Sequence, residues 1–257
     1  MQITFLGTGT SQGIPVIGCT CNVCTSKNPK DKRLRCSILI TYYEKNYVID
    51  VGPDFRTQML RADVRDLDCV FITHEHNDHI IGLDDLRPFI FMHNKEIEIY
   101  GLPRVLAEIK ERFHYAFQFQ PYPGAPKFEL KELNPGEKFK RDSFELEALQ
   151  VFHGPLEILG FKLQNFAYLT DVKTLPSETI EKIKGIKVLV ISALRKAKPH
   201  HSHLILDEAL QLIKEIQPDK AYLIHLSHLM GKHNEVSKEL PDYVEIAYDG
   251  LQLDLLS

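Results

Sequence analysis

The chain has no apolar run approaching the roughly 18 residues that a membrane helix needs, so no bilayer-crossing segment is expected. Its first residues, Met1-Gln2-Ile3-Thr4-Phe5-Leu6, lack the positive charge and the long apolar stretch of a secretory leader. A basic surplus is missing as well. The 31 Lys and Arg are outnumbered by 35 Asp and Glu, and a net charge of −4 gives no footing for a long nucleic acid. Nor is there an even set of cysteines. Five of them argue against a disulfide framework, and with neither leader nor membrane segment a reducing, cytoplasmic setting is expected. Low-complexity tracts and composition shifts are also absent, so residues 1–257 read as one domain, long enough to bury a core.

What stands out is the stretch Thr73-His74-Glu75-His76-Asn77-Asp78-His79. It follows an apolar run, Val70-Phe71-Ile72, that reads as a strand. If the chain stays extended, His74 and His76 share a face, because side chains alternate along a strand. Asp78 and His79 then reach towards a second point. Imidazoles and a carboxylate are the ligands of a zinc-like or manganese-like ion, and their order divides them between two ions. Three further ligand types, His153, Asp171 and His225, each sit just past an apolar strand-like run. The repetition points to one edge of a sheet system as the site.

The remaining pattern alternates strands with helices. Strands are read over 2–6, 36–43, 46–51, 70–73 and 96–100, and then over 144–152, 159–163, 166–169, 188–192 and 220–225, with short ones near Glu245 and Leu251. Helices are read over 55–62, 84–93, 103–113, 176–184 with Ser177 as cap, 206–216 and 236–240. Two sheets packed face to face with helices outside fit this alternation. The glycine-rich loop Gly7-Thr8-Gly9-Thr10-Ser11-Gln12-Gly13 has no Gly-Lys-Ser/Thr after it, so it reads as a tight turn beside a metal site and not as a nucleotide cradle. Residues 115–126, broken by prolines and rich in aromatics, read as a lid or a subunit contact, and the sequence is compatible with a homodimer.

Thr73-His74-x-His76-x-Asp78-His79 with His153, Asp171 and His225 resembles the metallo-β-lactamase superfamily in its binuclear hydrolase form. The resemblance implies an α/β fold, the αββα sandwich of two facing mixed sheets. It also implies that His74, His76 and His153 hold one divalent ion (Zn or Mn) and Asp78, His79 and His225 the other, with Asp171 and a hydroxide bridging. His203, 22 residues before His225, resembles the leaving-group histidine of the phosphodiesterase branch that includes RNase Z and the PhnP-like enzymes. Asp78 and His203 are then the catalytic residues. The amino-terminal Gly7–Pro15 segment with Cys19-x-Cys21-x-x-Cys24 resembles the PhnP-like group. That likeness implies a structural zinc held by Cys19, Cys21, Cys24 and His228, a closed set of the structural kind.

Two ions contribute +4 and Asp78, Asp171 and hydroxide −3; the remaining +1 suits a monoanionic diester, or a lactone bearing a carboxylate. Arg56 and Arg87 follow the site-facing loops and are candidates to meet a substrate phosphate, or else members of internal ion pairs. The resemblance therefore implies a phosphodiesterase acting on small cyclic or linear diesters. Its rivals are an RNase Z-like tRNA 3′-end nuclease, a lactone or ester hydrolase, and a non-catalytic metal or metabolite sensor. His153 and Asp171 are only 18 positions apart, too few for the exosite arm RNase Z carries there.

Overall fold

The computed structural model describes residues 1–255. The chain divides into two compact units, each built from separate stretches of sequence. Each holds one mixed seven-stranded sheet, which establishes the α/β class read from the sequence.

The first unit comprises Met1–Leu6, Ser37–Asn134 and the stretch from Gly250 onward. Its strands are β1 (Gln2–Gly7), β2 (Ser37–Tyr42), β3 (Lys45–Ile49), β4 (Cys69–Phe71), β5 (Ile97–Gly101) and β6 (Phe128–Glu132). Its helices are α1 (Phe55–Arg61), α2 (Asn77–Ile80), α3 (Arg87–His93) and α4 (Pro103–Arg112). β2 and β3 form a hairpin in which Tyr42 faces Lys45, with Tyr43 left-handed at a φ of 52°. The turn thus lies at Tyr43-Glu44, one residue before the 44–46 turn that the polar run Glu44-Lys45-Asn46 between the two strands predicts. From β3 to β6 all pairs are parallel. Every residue of β4 is buried, which is what a central parallel strand with both faces covered requires. The site loop follows this strand.

The stretch 84–93 is not one helix: a 3₁₀ segment, Ile81–Leu86, precedes α3, where Pro88 occupies the first turn and lacks no hydrogen-bond partner. Gly82 lies so close to the backbone that a Cβ there would sit 2.1 Å from the Gly52 carbonyl oxygen. The same contact region holds hydrogen bonds from Val51 N to His79 O at 2.7 Å and from Gly82 N to Val51 O at 3.0 Å. These tie α2 to the segment leaving β3.

The second unit comprises Gly7–Cys36 and Pro135–Asp249. It holds β7 (Lys138–Arg141), β8 (Phe144–His153), β9 (Leu156–Leu163), β10 (Phe166–Leu169), β11 (Val188–Ser192), β12 (Lys220–Ile224) and β13 (Val244–Ile246). The helices are α5 (Ser177–Ile183), α6 (Leu206–Ile216) and α7 (His233–Val236). β7 to β10 form an antiparallel meander and β10 to β13 are parallel. α6 buries Leu206, Ala209, Ile213 and Ile216, one stripe at helical spacing, in the unit's core. Glu208 accepts the Ile205 N–H at 3.0 Å and closes its start. Ser177 does not cap α5; it is the first helical residue, behind Pro176, and no side chain caps that end. The last helix lies earlier than 236–240, with Val236 as its buried end. Finally β14 (Gln252–Asp254) returns to the first sheet and pairs with β1.

Two strands, β6 and β7, have no counterpart in the sequence reading. Their sequences, Phe-Glu-Leu-Lys-Glu and Lys-Phe-Lys-Arg, carry more charge than apolar pattern. Each ends its sheet, and an edge strand carries charge to resist pairing with another chain.

Candidate metal centre

The first unit contributes four ligand types from one turn. Asp50 leaves β3 in left-handed backbone, at a φ of 65°, and is wholly buried. Its carboxylate accepts the Thr73 N–H at 2.8 Å, the Thr73 hydroxyl at 2.9 and 3.0 Å, and His79 Nδ1–H at 2.7 Å. Burial pushes the Asp50 pKa up, and the His79 and Thr73 contacts pull it back.

These bonds determine tautomers. The single Thr73 hydroxyl hydrogen goes to Asp50, so Thr73 Oγ1 accepts from His74 Nδ1 at 2.9 Å. His74 and His79 therefore both carry their proton on Nδ1 and present Nε2 as a lone pair. His76, still extended at φ −64° and ψ 148°, brings its Nδ1 to 3.0 Å from His74 Nε2. His79 Nε2 lies 3.2 Å from Asp78 Oδ2. Two ligands on one tetrahedral zinc are about 3.4 Å apart when each bond is about 2.0–2.1 Å. The turn thus holds two ligand pairs at metal-sharing separations, with the split the sequence suggests. Residues between the ligands are gripped from α4: Arg104 Nε and Nη2 donate to Glu75 at 3.0 and 3.1 Å, and Arg112 Nη1 donates to Asn77.

The second unit contributes its ligand types from strand ends. His153 closes β8 and donates Nδ1–H to the Ser202 carbonyl at 2.7 Å, which again leaves Nε2 as the lone pair. Asp171 follows β10 and His225 follows β12, both in left-handed backbone at φ 54° and 55°. Asp171 Oδ1 lies 3.2 Å from His225 Nε2, again a shared-ion separation, and accepts from Thr170 Oγ1 at 2.7 Å. His203 joins this group. Its ring centroid is 4.5 Å from that of His153 and 4.9 Å from that of His225, and ligand atoms of His153, Asp171 and His203 lie within 4.8 Å of one another. Burial first, and then the facing His225 imidazole, push the His203 pKa down to about 3.

Cys19, Cys21, Cys24 and His228 converge within the same unit. Their sulfurs lie 3.3, 3.4 and 3.6 Å from His228 Nδ1. A sulfur and a nitrogen on one tetrahedral zinc are about 3.6 Å apart, so the donors fit that ion. Backbone N–H groups already point at the sulfurs, Val16 N at Cys24 Sγ (3.3 Å) and Cys24 N at Cys21 Sγ (3.4 Å). The second of these leads the effects that bring the Cys21 pKa down to about 6, whereas burial lifts Cys24 to about 11.

Arg87 keeps no bare guanidinium for a phosphate. Arg87 pairs with Asp84 and donates to the Tyr122 hydroxyl at 3.1 Å and the Gly124 carbonyl at 3.4 Å. With the Tyr115 hydroxyl also on Asp84, it moors the 115–126 segment, leaving Phe119 exposed. Arg56 sits exposed on the rim of an apolar groove near Asp85, between α1 and α3. Sequence reasoning missed Asp50, Thr73, Ser202 and Arg104. Asp50 had a signal, a carboxylate at a strand end in Asp50-Val51-Gly52-Pro53, and Thr73 opens the histidine motif.

Residues 45–226 match the family model of the beta-lactamase superfamily domain. A solved structure described as a new diphosphatase from the PhnP family is 36% identical, with a TM-score of 0.91, covering 98% of this chain and 96% of its own. The chain belongs to the β-lactamase superfamily of metallo-hydrolases and, within it, to the PhnP family. Among curated relatives, an octanoyltransferase of Porphyromonas gingivalis is 43% identical over 98% of this chain but only 51% of its own length. A ribonuclease Z of Methanocaldococcus jannaschii is 25% identical over 77% of this chain and 56% of its own. The chain thus spans about half the length of these relatives. Zn²⁺-bound PqqB of Methylobacterium extorquens, 17% identical with a TM-score of 0.82 over 99% of this chain and 100% of its own, shares the fold. Among the described residues, no helix of this member is long and apolar enough to cross a membrane.

Proposed function

We propose that this PhnP-family member hydrolyses phosphoric diesters or diphosphates of small molecules as a single two-metal hydrolase domain. The observation that carries the reading is the set of ligand pairs, His74 with His76, Asp78 with His79 and Asp171 with His225, each 3.0–3.2 Å apart. His74, His76 and His153 would hold one ion, Asp78, His79 and His225 the other, and Asp171 both. Bound there, two divalent ions supply Lewis acidity and water activation. A third ion, zinc, would occupy the Cys19, Cys21, Cys24 and His228 set as a structural staple. Three thiolate ligands favour a reducing compartment, which supports a cytoplasmic setting.

The chain's own groups divide the remaining work. Asp50, through His79 and Thr73, keeps two imidazoles in the ligating tautomer. His153 is held likewise by the Ser202 carbonyl. Burial and the facing imidazoles outweigh Asp171 and keep His203 neutral; an arriving phosphate anion favours its imidazolium, which then gives its proton to the departing oxygen. Ordinary diesters release alkoxides, which need that proton.

The ribonuclease reading has less support. β8 and β9 turn directly at Gly154-Pro155, β10 follows, and Asp171 comes straight after it, so no arm intervenes. The octanoyltransferase name belongs to a protein about twice as long, and nothing in the metal-ligand pattern calls for acyl transfer. The test is turnover of a panel of cyclic and linear diesters, diphosphates and lactones by protein loaded with Zn or Mn. Hydrolysis of phosphoryl substrates that disappears in Asp171→Ala is the expected result; turnover confined to lactones would overturn it.

A further inference from the structure

Two residues stand between the candidate ligands of the first unit, Glu75 and Asn77. Side chains of an extended chain alternate in direction. His74 Nε2 and His76 Nδ1 face one another at 3.0 Å, and Glu75 between them turns away, its side chain mostly buried. What it meets is α4. Arg104 Nε and Nη2 donate to its two carboxylate oxygens at 3.0 and 3.1 Å, the fork geometry that suits a guanidinium and a carboxylate. About two turns further along the same helix, Arg112 Nη1 donates to the Asn77 side-chain oxygen.

α4 is a firm base for both grips. It buries Val105, Leu106 and Ile109, one stripe at helical spacing. It follows β5, and the residue after β4 is bonded to that strand by Ile72 N to Tyr100 O at 2.8 Å. Arg112 is oriented by Glu108, one turn back, through Nε and Nη2 at 3.1 and 3.0 Å.

The loop needs such a base. A metal site tolerates about 0.2 Å in its ligand distances, whereas an ordered protein atom moves about 0.5 Å along each axis. His74 is braced through Thr73 and His79 through Asp50. His76 lies between these braces and is exposed where His74 and His79 are buried, so its place depends more on its backbone. Both of its neighbours in the chain, Glu75 and Asn77, are held by α4, and Asp78 shares one of them.

We propose that Arg104 and Arg112 are positioning residues of the metal centre, and that α4 acts as a splint holding His76 in register with His74 and Asp78 through Glu75 and Asn77. The inference rests on the two-metal reading and adds to it. Residues outside the donor set would decide how tightly the ions are retained.

Competitive chelator titration of the Zn²⁺-loaded full chain tests this without turnover, so the result stands apart from the choice of substrate. Arg104→Gln and Glu75→Gln should each weaken retention of an exchangeable ion by about 10–100-fold, the worth of a group that supports a ligand. The double variant should be no worse than either single one, because the two side chains act as a pair. Arg104→Lys should restore part of the loss. Protein freed of exchangeable ions should melt at nearly the wild-type temperature in each variant, since a partly exposed ion pair adds little to folding. Glu75→Gln, close to isosteric, serves should Arg104→Gln disturb α4. Unchanged retention in Glu75→Gln, or losses that add in the double variant, overturns the proposal. A drop in the melting temperature of the ion-free variants with retention intact makes the pair a fold brace only and overturns it too. Wild type that retains no exchangeable ion sinks the two-metal reading itself, and the splint with it.

Discussion

At the scale of single residues the site is governed by where protons sit. His203 carries the sharpest prediction. If it protonates the departing oxygen, His203→Ala should lose about 10²–10⁴-fold on an alkyl diester and far less on a nitrophenyl diester, whose anion departs unaided. Metal content should not change. Equal losses on both substrates would make His203 a phosphate holder or a ligand, a role its closeness to His153 and Asp171 also permits. Asp50 makes a second case. Replacing it with Asn puts an amide where His79 Nδ1–H and the Thr73 hydroxyl now find a carboxylate. Partners of this kind are worth about 10–100-fold in metal affinity. Asp50→Asn should weaken metal retention by that order in a competitive chelator titration, and unaltered affinity would show that Asp50 only packs.

At the scale of elements, the decisive object is the Cys19–Cys24 loop. It has little regular structure, and its small core of Ile14, Val23 and Cys24 is thin. The zinc proposed for the Cys₃His set would stabilise it, as metals stabilise other small segments lacking a core. Cys21→Ser should lose one metal equivalent of three and lower the melting temperature while the other two ions stay. Finding only two ions in fully metallated wild type, with the three thiols freely alkylated in the folded protein, would remove this zinc. The strands β6 and β7 show the reverse limit. Their charged residues belong to edge positions, and an edge is a property of the sheet that no window of sequence contains.

At the scale of the molecule, a buried polar network fastens the N-terminal segment of the second unit to its C-terminal end. Arg33 is almost wholly buried and donates to Thr8 Oγ1 at 2.7 Å, Ala247 O at 2.6 Å and His233 Nδ1 at 3.4 Å. Asp31 accepts the His233 N–H at 2.7 Å, and Asp249 accepts from Thr8 and from Leu34 N. An arginine can only donate, so His233 Nδ1 must stay unprotonated. Burial, then Arg33, lowers the His233 pKa to about 4. The unfolded chain, with an ordinary histidine near 6.5, then binds more protons at acid pH than the folded one. This contribution to stability is intact above about pH 6.5 and declines as pH falls towards 4. His233→Asn should flatten the fall in melting temperature across that window relative to wild type. Parallel curves would mean that His233 does not report the network.

The sequence by itself determined which ligand-type side chains the chain offers and the α/β class that carries them. Candidate ligands were legible because His153, Asp171 and His225 stand at or just past strand ends and the His74–His79 cluster follows β4, and strand periodicity with a following break is a local signal. The Cys-x-Cys-x-x-Cys spacing and the alternation behind the α/β class are local in the same sense. Tertiary structure alone decided which groups serve the ligands. Asp50 reaches His79 and Thr73 across 29 and 23 residues, and the Ser202 carbonyl reaches His153 across 49. Arg87 looked available to a substrate until Asp84, Tyr122 and Gly124 were seen to occupy it. Tautomers, ion-pair partners and sheet edges depend on contacts between distant segments, and only the packed chain brings those segments together.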